Sequence, residues 1–234
     1  MSERPVSART VIVAIDGPAG AGKSTAAVRL ANRLGFVLLD TGALYRAVAL
    51  AAQERGVDWT DGPALGRLAR GLELRFVPAP DGGRPRLLLA GVDRSEDIRT
   101  PPISQGASLV SAHPEVREAL LAVQRRVAGE ASVVAEGRDI GTVVFPRADV
   151  KVFLTATVEA RTDRRYRELR DRGHRPRREE VRAEIDERDL RDTQRPVSPL
   201  RPADDAVQLD TTEADLEQVV ESLVDLVRRR TGRD

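Results

Sequence analysis

Five short, mostly apolar runs punctuate the chain: Thr10–Ile15, Phe36–Asp40, Ser132–Ala135, Val150–Leu154 and Ala206–Asp210. They are too short for helices and rich in β-branched residues, the pattern of strands buried on both faces. Between them apolar positions recur at helical spacing. Ser24–Leu34 carries Ala27, Leu30, Ala31 and Leu34 on one face and stops at Gly35, and Ala43–Arg55 stops at Gly56. Helical patterns continue over Ala64–Gly71, Ile103–Ser111 and Glu115–Ala128. Thr212-x-x-Asp215 predicts a capping box for a last amphipathic helix that ends in Arg228-Arg229-Arg230. Strands alternating with helices predict an α/β fold with a parallel five-stranded sheet flanked by helices.

Two stretches break the alternation. Leu72–Val77 alternates with period two, Pro80-Asp81-Gly82-Gly83 supplies a turn, and Arg86–Ala90 returns, which predicts a β-hairpin. A hairpin does not belong in a parallel βαβ series, so residues 42–107 are read as an inserted subdomain. Residues 161–195 hold 13 arginines against 10 acidic residues, broken by Gly173 and Pro176 into two helices. Residues 161–190 form a second, helical excursion. The core is then 1–41, 108–160 and 191–234.

Composition narrows the function classes. With 234 residues the chain can bury one sizeable core with small appendages. Charged residues make up 32% yet the net charge is +1, so nothing draws the whole chain toward nucleic acid or a membrane. Aromatic content of 3% leaves little for base-stacking platforms, and the absence of cysteine removes disulfides and thiolate metal sites. The first ten residues are polar, no apolar run reaches the roughly 18 residues that span a bilayer, and a cytoplasmic monomer is expected.

The candidate chemistry begins at the end of the first strand. Gly17-Pro18-Ala19-Gly20-Ala21-Gly22-Lys23-Ser24-Thr25 meets the spacing G-x-x-x-x-G-K-[S/T] between a strand and a helix. Its glycines let backbone N–H groups turn onto phosphate oxygens, and the helix N-terminus adds positive charge. Lys23 would reach the β- and γ-phosphates of ATP, and the Ser24 hydroxyl would coordinate Mg²⁺. Lys23 is one of only two lysines, beside 36 arginines, and stands where the motif demands a compact ammonium. The glycine order is not that of the dinucleotide fingerprint. This is a P-loop nucleoside-triphosphate site.

No N/T-K-x-D guanine motif is present, and arginines cluster near strand ends and in the charged excursion. Two nucleotides aligned for phosphoryl transfer need such fixed cations. Here the chain resembles the bacterial cytidylate kinases within the nucleoside-monophosphate kinases, from Val11 to about Arg230. The resemblance is carried by Ile15–Thr25, Leu39-Asp40-Thr41-Gly42-Ala43-Leu44-Tyr45-Arg46, Glu136-Gly137-Arg138-Asp139-Ile140-Gly141-Thr142-Val143-Val144-Phe145-Pro146, and Glu187-Arg188-Asp189 with Arg191, Asp192 and Arg195. It implies an ATP-dependent kinase acting on CMP and dCMP, with 42–107 binding the monophosphate and 161–190 as lid. Arg46 and Arg138 would grip the acceptor phosphate, with Thr41 beside them. Ser108, Arg117 and Asp139 would read cytosine. Arg188 and Asp192 would hold the ribose and Arg195 the phosphates, while Arg161 and Arg165 would face ATP. Lys23, Arg138, Arg188 and Arg195 make up the implied catalytic set.

Each of these has a plainer reading. Arg188 and Arg191 follow Glu184 and Glu187 by four residues, the spacing of surface ion pairs, although Arg188, Arg191, Asp192 and Arg195 share one helical face. Arg46 could be a surface helix residue, and Asp139 a helix cap or metal ligand. Glu136 stands where many relatives carry Asp, which leaves open how directly it supports Mg²⁺-bound water. His113 and His174 have no partner in sequence. The competing readings are a P-loop kinase for another small acceptor such as UMP, and an Arg-rich nucleic-acid-binding module, against which the interleaved acids of 161–195 argue.

Overall fold

The computed structural model describes residues 9–80, 82–129 and 131–232. Its centre is a five-stranded sheet in the order β2-β6-β1-β7-β8. The strands are β1 (Ile12–Asp16), β2 (Val37–Asp40), β6 (Val133–Glu136), β7 (Val150–Thr155) and β8 (Val207–Asp210), and all four pairings are parallel. Side chains alternate across β1 as strand geometry requires. Val13 and Ile15 join Leu30 of α1 (Lys23–Leu34), Leu154, and Leu223 of α8 (Leu216–Thr231) on one face. Ala14 joins Leu39, Val133, Ala135, Ile140 and Phe145 on the other. Leu30, Leu154 and Leu223 are almost wholly shielded from solvent, and truncating any one to alanine would cost about 3 kcal/mol.

This double burial places the site. The strands end at the same level, with Asp40 opposite Glu136 and Glu136 opposite Ile15. Three carboxylates (Asp16, Asp40 and Glu136) therefore stand at the carboxyl edge of the sheet, where ligands bind in open α/β folds.

The hairpin is part of a three-stranded antiparallel sheet of β3 (Leu74–Val77), β4 (Arg86–Leu89) and β5 (Val92–Asp93). The last strand has no counterpart in the sequence reading. It is reached by a two-residue turn, Ala90-Gly91, with φ of 50° and 79°. Positive φ at both positions suits a tight hairpin, but alanine is not a residue that announces it. Asp81, expected in the preceding turn, and the polar residues 1–8 lie outside the described residues. The sheet packs beside α2 (Thr41–Glu54), α3 (Gly62–Arg70), α4 (Pro101–Val110) and α5 (Pro114–Val127) around Leu44, Val48, Leu65, Leu87, Ile98 and Leu120.

The charged excursion folds as α6 (Val158–Asp171) and α7 (Arg178–Gln194). Only Leu169, Val181 and Ile185 form its buried seam, flanked by Val158 and Tyr166. Exposed pairs such as Arg178–Asp163 and Arg182–Glu159, both 2.8 Å, add little. A thin apolar seam under solvent-screened ion pairs is weak packing for a helical hairpin.

The expected capping box at Thr212 is corrected. Asp215 is the N-cap of α8, and its N–H is accepted by the Gln218 side chain at 3.3 Å. The Thr212 hydroxyl instead accepts the Thr157 N–H at 3.0 Å, at the start of α6. Asp61 is the simplest cap to test: its carboxylate accepts the Ala64 N–H at 2.9 Å on an exposed surface. Asp61→Ala is expected to lower the unfolding free energy by about 1 kcal/mol in urea titrations, with an unchanged slope.

Candidate active site

The loop between β1 and α1 is shaped from both sides. Gly17 has φ of 146°, and a side chain there would place its Cβ 2.1 Å from the Leu154 carbonyl oxygen. Only glycine lets the loop leave the sheet this close to β7. Gly20 and Gly22 are left-handed, at φ 77° and 84°, and α1 starts directly after Gly22 with no side-chain cap. The first amides of α1 are thus free of a cap and suited to an anion.

The loop's carbonyls are held by side chains. Arg161 Nη1 donates to Ala19 O at 3.2 Å, Arg164 Nη1 to Gly20 O at 3.5 Å, and Thr211 Oγ1 to Ala21 O at 3.1 Å. With three successive carbonyls engaged in this way, the loop amides are left available to the cleft. Arg161 is buried, bonded also to Ala156 O at 3.1 Å and paired with Asp189 at 2.6 Å. Expected to face ATP, it instead has all three guanidinium nitrogens engaged by Ala156 O, Ala19 O and Asp189, and it is not in the lining of the cleft. Arg164 and Arg165 line the cleft, as Arg161 does not.

In front of the loop lies a cleft of about 530 Å³. Lys23 Nζ donates to Pro18 O at 2.7 Å, and Ser24 Oγ donates to Glu136 Oε2 at 2.8 Å. Burial, and then the nearby Arg138, push the Lys23 ammonium well below its ordinary value. Burial, and then Asp40, push the Glu136 carboxyl up. A hydroxyl and a carboxylate oxygen side by side suit a hard divalent cation, and the raised carboxyl is one that a cation would restore to its charged form.

Across the cleft, Asp139 is paired with Arg117, both buried, and Arg117 lies 5.5 Å from the Tyr45 ring centre. Arg195 Nη2 stands 3.9 Å from the same carboxylate. Arg138 Nε donates to Asp192 at 2.8 Å, and Arg46 Nη2 to Asp40 at 2.8 Å. Burial alone would raise Asp192, but Arg138 and Arg188 outweigh it and hold its carboxyl below the ordinary value. Arg188 is pushed down to about 10 by burial and by Arg138. The Nε atoms of Arg46, Arg117 and Arg188 and Nη2 of Arg195 are buried without a hydrogen-bond partner. Such atoms are costly unless an anion meets them.

The cleft thus brings together Ala19, Gly20, Gly22, Lys23, Ser24, Thr25, Thr41, Arg46, Arg117, Arg138, Asp139, Arg165, Arg188, Asp192 and Arg195 of the expected set. Gly17, Pro18 and Ala21 shape the loop from behind the lining. Ser108 is displaced from it: its hydroxyl accepts from Arg191 Nη1 at 2.6 Å, and its neighbours Ser104, Ala107 and Ser111 line the wall instead. The sequence reading missed Tyr45, Arg84, Arg99, Arg164 and Arg172 in the lining. Tyr45 could have been found beside Arg46 and Arg164 beside Arg165, whereas Arg84, Arg99 and Arg172 come from folded segments with no local motif.

A phosphate loop facing an arginine-lined second pocket, on a parallel sheet with a helical flap, defines a P-loop kinase of small phosphorylated acceptors. Residues 13–229 match the sequence profile of the cytidylate kinase family, and the chain belongs to that family. It is 50% identical over 219 residues to a cytidylate kinase of Pseudomonas paraeruginosa, covering 94% of this chain and 96% of that protein. It is 48% identical to one from Exiguobacterium sibiricum, covering 93% and 97%. A solved structure of an uncharacterized protein from Eubacterium ventriosum shares the fold at a TM-score of 0.51 and 13% identity, covering 95% of this chain and all of that one.

The Arg138–Asp192 pair tests the electrostatics. A carboxyl lowered by folding adds stability above its unfolded value of about 3.8 and loses it as the pH falls through the folded value. Asp192→Ala is expected to cost about 3 kcal/mol at pH 7, because it leaves Arg138 buried and unpaired. The difference from the parent protein should shrink below about pH 4 in urea titrations run from pH 7 to 3.

Proposed function

We infer that this chain transfers the γ-phosphoryl group of ATP to CMP and dCMP, giving the nucleoside diphosphate and ADP. The observation that carries this reading is one continuous cleft holding Lys23 and Ser24 at one end and the Arg117–Asp139 pair at the other. The first end suits a triphosphate. The second presents a carboxylate edged by guanidinium groups, which suits a base with an amino donor at N4 beside acceptor atoms; uracil would bring a carbonyl oxygen toward the carboxylate.

Arg46, Arg138 and Arg188 would bind the acceptor phosphate and ribose from three elements, with Asp192 orienting Arg138. Lys23, Arg165 and Arg195 would meet charge on the transferring phosphoryl group. Ser24 and Glu136 would hold Mg²⁺, which would supply further neutralisation of phosphate charge. Phosphoryl transfer requires little covalent chemistry from the protein, so aligning the two nucleotides and neutralising their charge account for most of the rate.

Residues 161–190 would act as a lid and 42–107 as the monophosphate-binding insertion. Closing both over the substrates would exclude water, which otherwise competes for the phosphoryl group. No helix among the described residues is long and apolar enough to cross a membrane.

A rate panel of ATP with CMP, dCMP, UMP, AMP and GMP tests the assignment. Cytidine nucleotides should give the highest kcat/KM, and best turnover on any other acceptor would refute it. In the same assay Lys23→Ala should lower kcat at least about a hundredfold while the thermal transition is retained. Near-normal turnover would mean that the loop does not act on the phosphates.

A further inference from the structure

The chain between β6 and the turn that follows it rises into the cleft as an arch. Its first foot is the last ladder bond of the sheet, from Gly137 N–H to Ile15 O at 3.0 Å. Arg138 and Asp139 then leave the ladder, and Asp139 adopts φ −145° and ψ 28°, outside regular strand or helix geometry. The second foot is made by a side chain. Asp16 Oδ1 accepts Ile140 N–H and Oδ2 accepts Gly141 N–H, both at 2.8 Å. Beyond it the chain coils into the wide turn Ile140–Val144.

Both feet therefore rest on consecutive residues of β1, and the second is the residue immediately before Gly17. The Asp16 carboxylate is 4% exposed. Its two oxygens each take one amide, a two-pronged tie that a neutral side chain of the same shape cannot reproduce, because an amide offers only one acceptor. Burial pushes the carboxyl up to about 6, so the ionised form carries a solvation cost that a packing role alone does not require. The charged groups facing it are Lys23 on α1 and Asp139 on the arch itself.

We propose that Asp16 is a positioning residue for the acceptor: by pinning the far foot of the arch it fixes Arg138 and Asp139 relative to the phosphate loop. This deepens the kinase assignment and rests on it. Asp16 is not among the residues that line the cleft. It acts on the acceptor through Asp139 and Arg138, and its place next to Gly17 ties the acceptor arch to the strand that launches the donor loop. Loosening the arch should weaken reading of the base more than binding of the triphosphate, since the loop is held independently by Arg161, Arg164 and Thr211.

The test is steady-state kinetics of the full chain and its Asp16→Asn variant. The variant turns an amide N–H group toward a backbone N–H, leaving one donor unpaired. KM for CMP is expected to rise about tenfold, KM for ATP to change less than about twofold, and the preference for CMP over UMP to narrow. A residue that only supports the fold would lower the melting temperature and the active fraction without separating the two KM values. An equal rise in both, or no change in either, overturns the proposal while leaving the CMP assignment standing. If the wild-type protein works best on another acceptor, that assignment fails, and the KM split is then read on that acceptor. Should the variant not fold, amide exchange in the wild-type protein decides: Ile140 and Gly141 are expected to exchange as slowly as the amides of β6, and exchange at loop rates overturns the tie.

Discussion

Crowding of like charge governs this molecule. Lys23 is buried beside Arg138 and Arg188, and its ammonium is driven well below the ordinary value, while Arg188 itself falls to about 10. Burial is the larger cause at both groups, and the mutual repulsion of the cations adds to it more strongly than it would in water. Glu136 and Asp16 offset part of this at Lys23 and Asp192 part of it at Arg188, while Asp192 and Asp40 are also committed to Arg138 and Arg46. The cations are held in place by the scaffold: Lys23 by a helix packed on both β1 and α8, Arg138 by an arch tied to β1, Arg188 by a helix braced on Leu169. The repulsion is released when phosphates arrive, so part of the stability of the core is held as affinity for polyanions.

That division of labour explains which parts of the protein could be read from its sequence. The phosphate loop is a local object. Its glycines, Lys23 and Ser24 act where they stand, and strand, loop and helix are adjacent in the chain. The inner strands β1 and β6 were legible for a similar reason, since burial on both faces leaves an unbroken apolar run, whereas the edge strand β8 alternates half-buried Val207 and Leu209 with exposed Gln208 and Asp210. Roles that depend on an approach by distant chain were not. Arg161 has the right type and the right helix for a phosphate ligand, but α6 turns it onto Ala19 O, and only the packed structure shows that. Ser108 is likewise engaged by Arg191, which lies 83 residues away in the chain. The third strand of the small sheet escaped because its turn, Ala90-Gly91, lacks the asparagine or aspartate that usually reports positive φ.

The two excursions differ in how they are held. The 42–107 segment shares with α5, which follows it, a large cluster of buried leucines, isoleucines and valines, and the two should behave as one firm body. The α6–α7 pair has three buried apolar side chains and is otherwise braced by ion pairs at the surface and by Arg161. The lid role proposed for residues 161–190 calls for this asymmetry. A lid that closed as strongly as a core packs would trap product, whereas one held by a thin seam and by charges that the substrates share can close on two nucleotides and open again after transfer.

Arg161 gives that argument its sharpest form. One guanidinium joins the loop carbonyl of Ala19, the start of α6 at Ala156, and Asp189 of α7. Any swing of α7 must therefore either carry Arg161 along, changing the grip on the phosphate loop, or break the Asp189 pair and leave a buried cation behind. Breaking such a pair is expensive inside a protein. The lower-energy course is for the root of α6 to stay with the loop while motion is taken up further along the hairpin, near the left-handed Gly173 between the two helices. The arginine that ties the start of α6 to the phosphate loop is thus held on three sides, whereas Arg164, Arg165 and Arg172, further along α6, line the cleft.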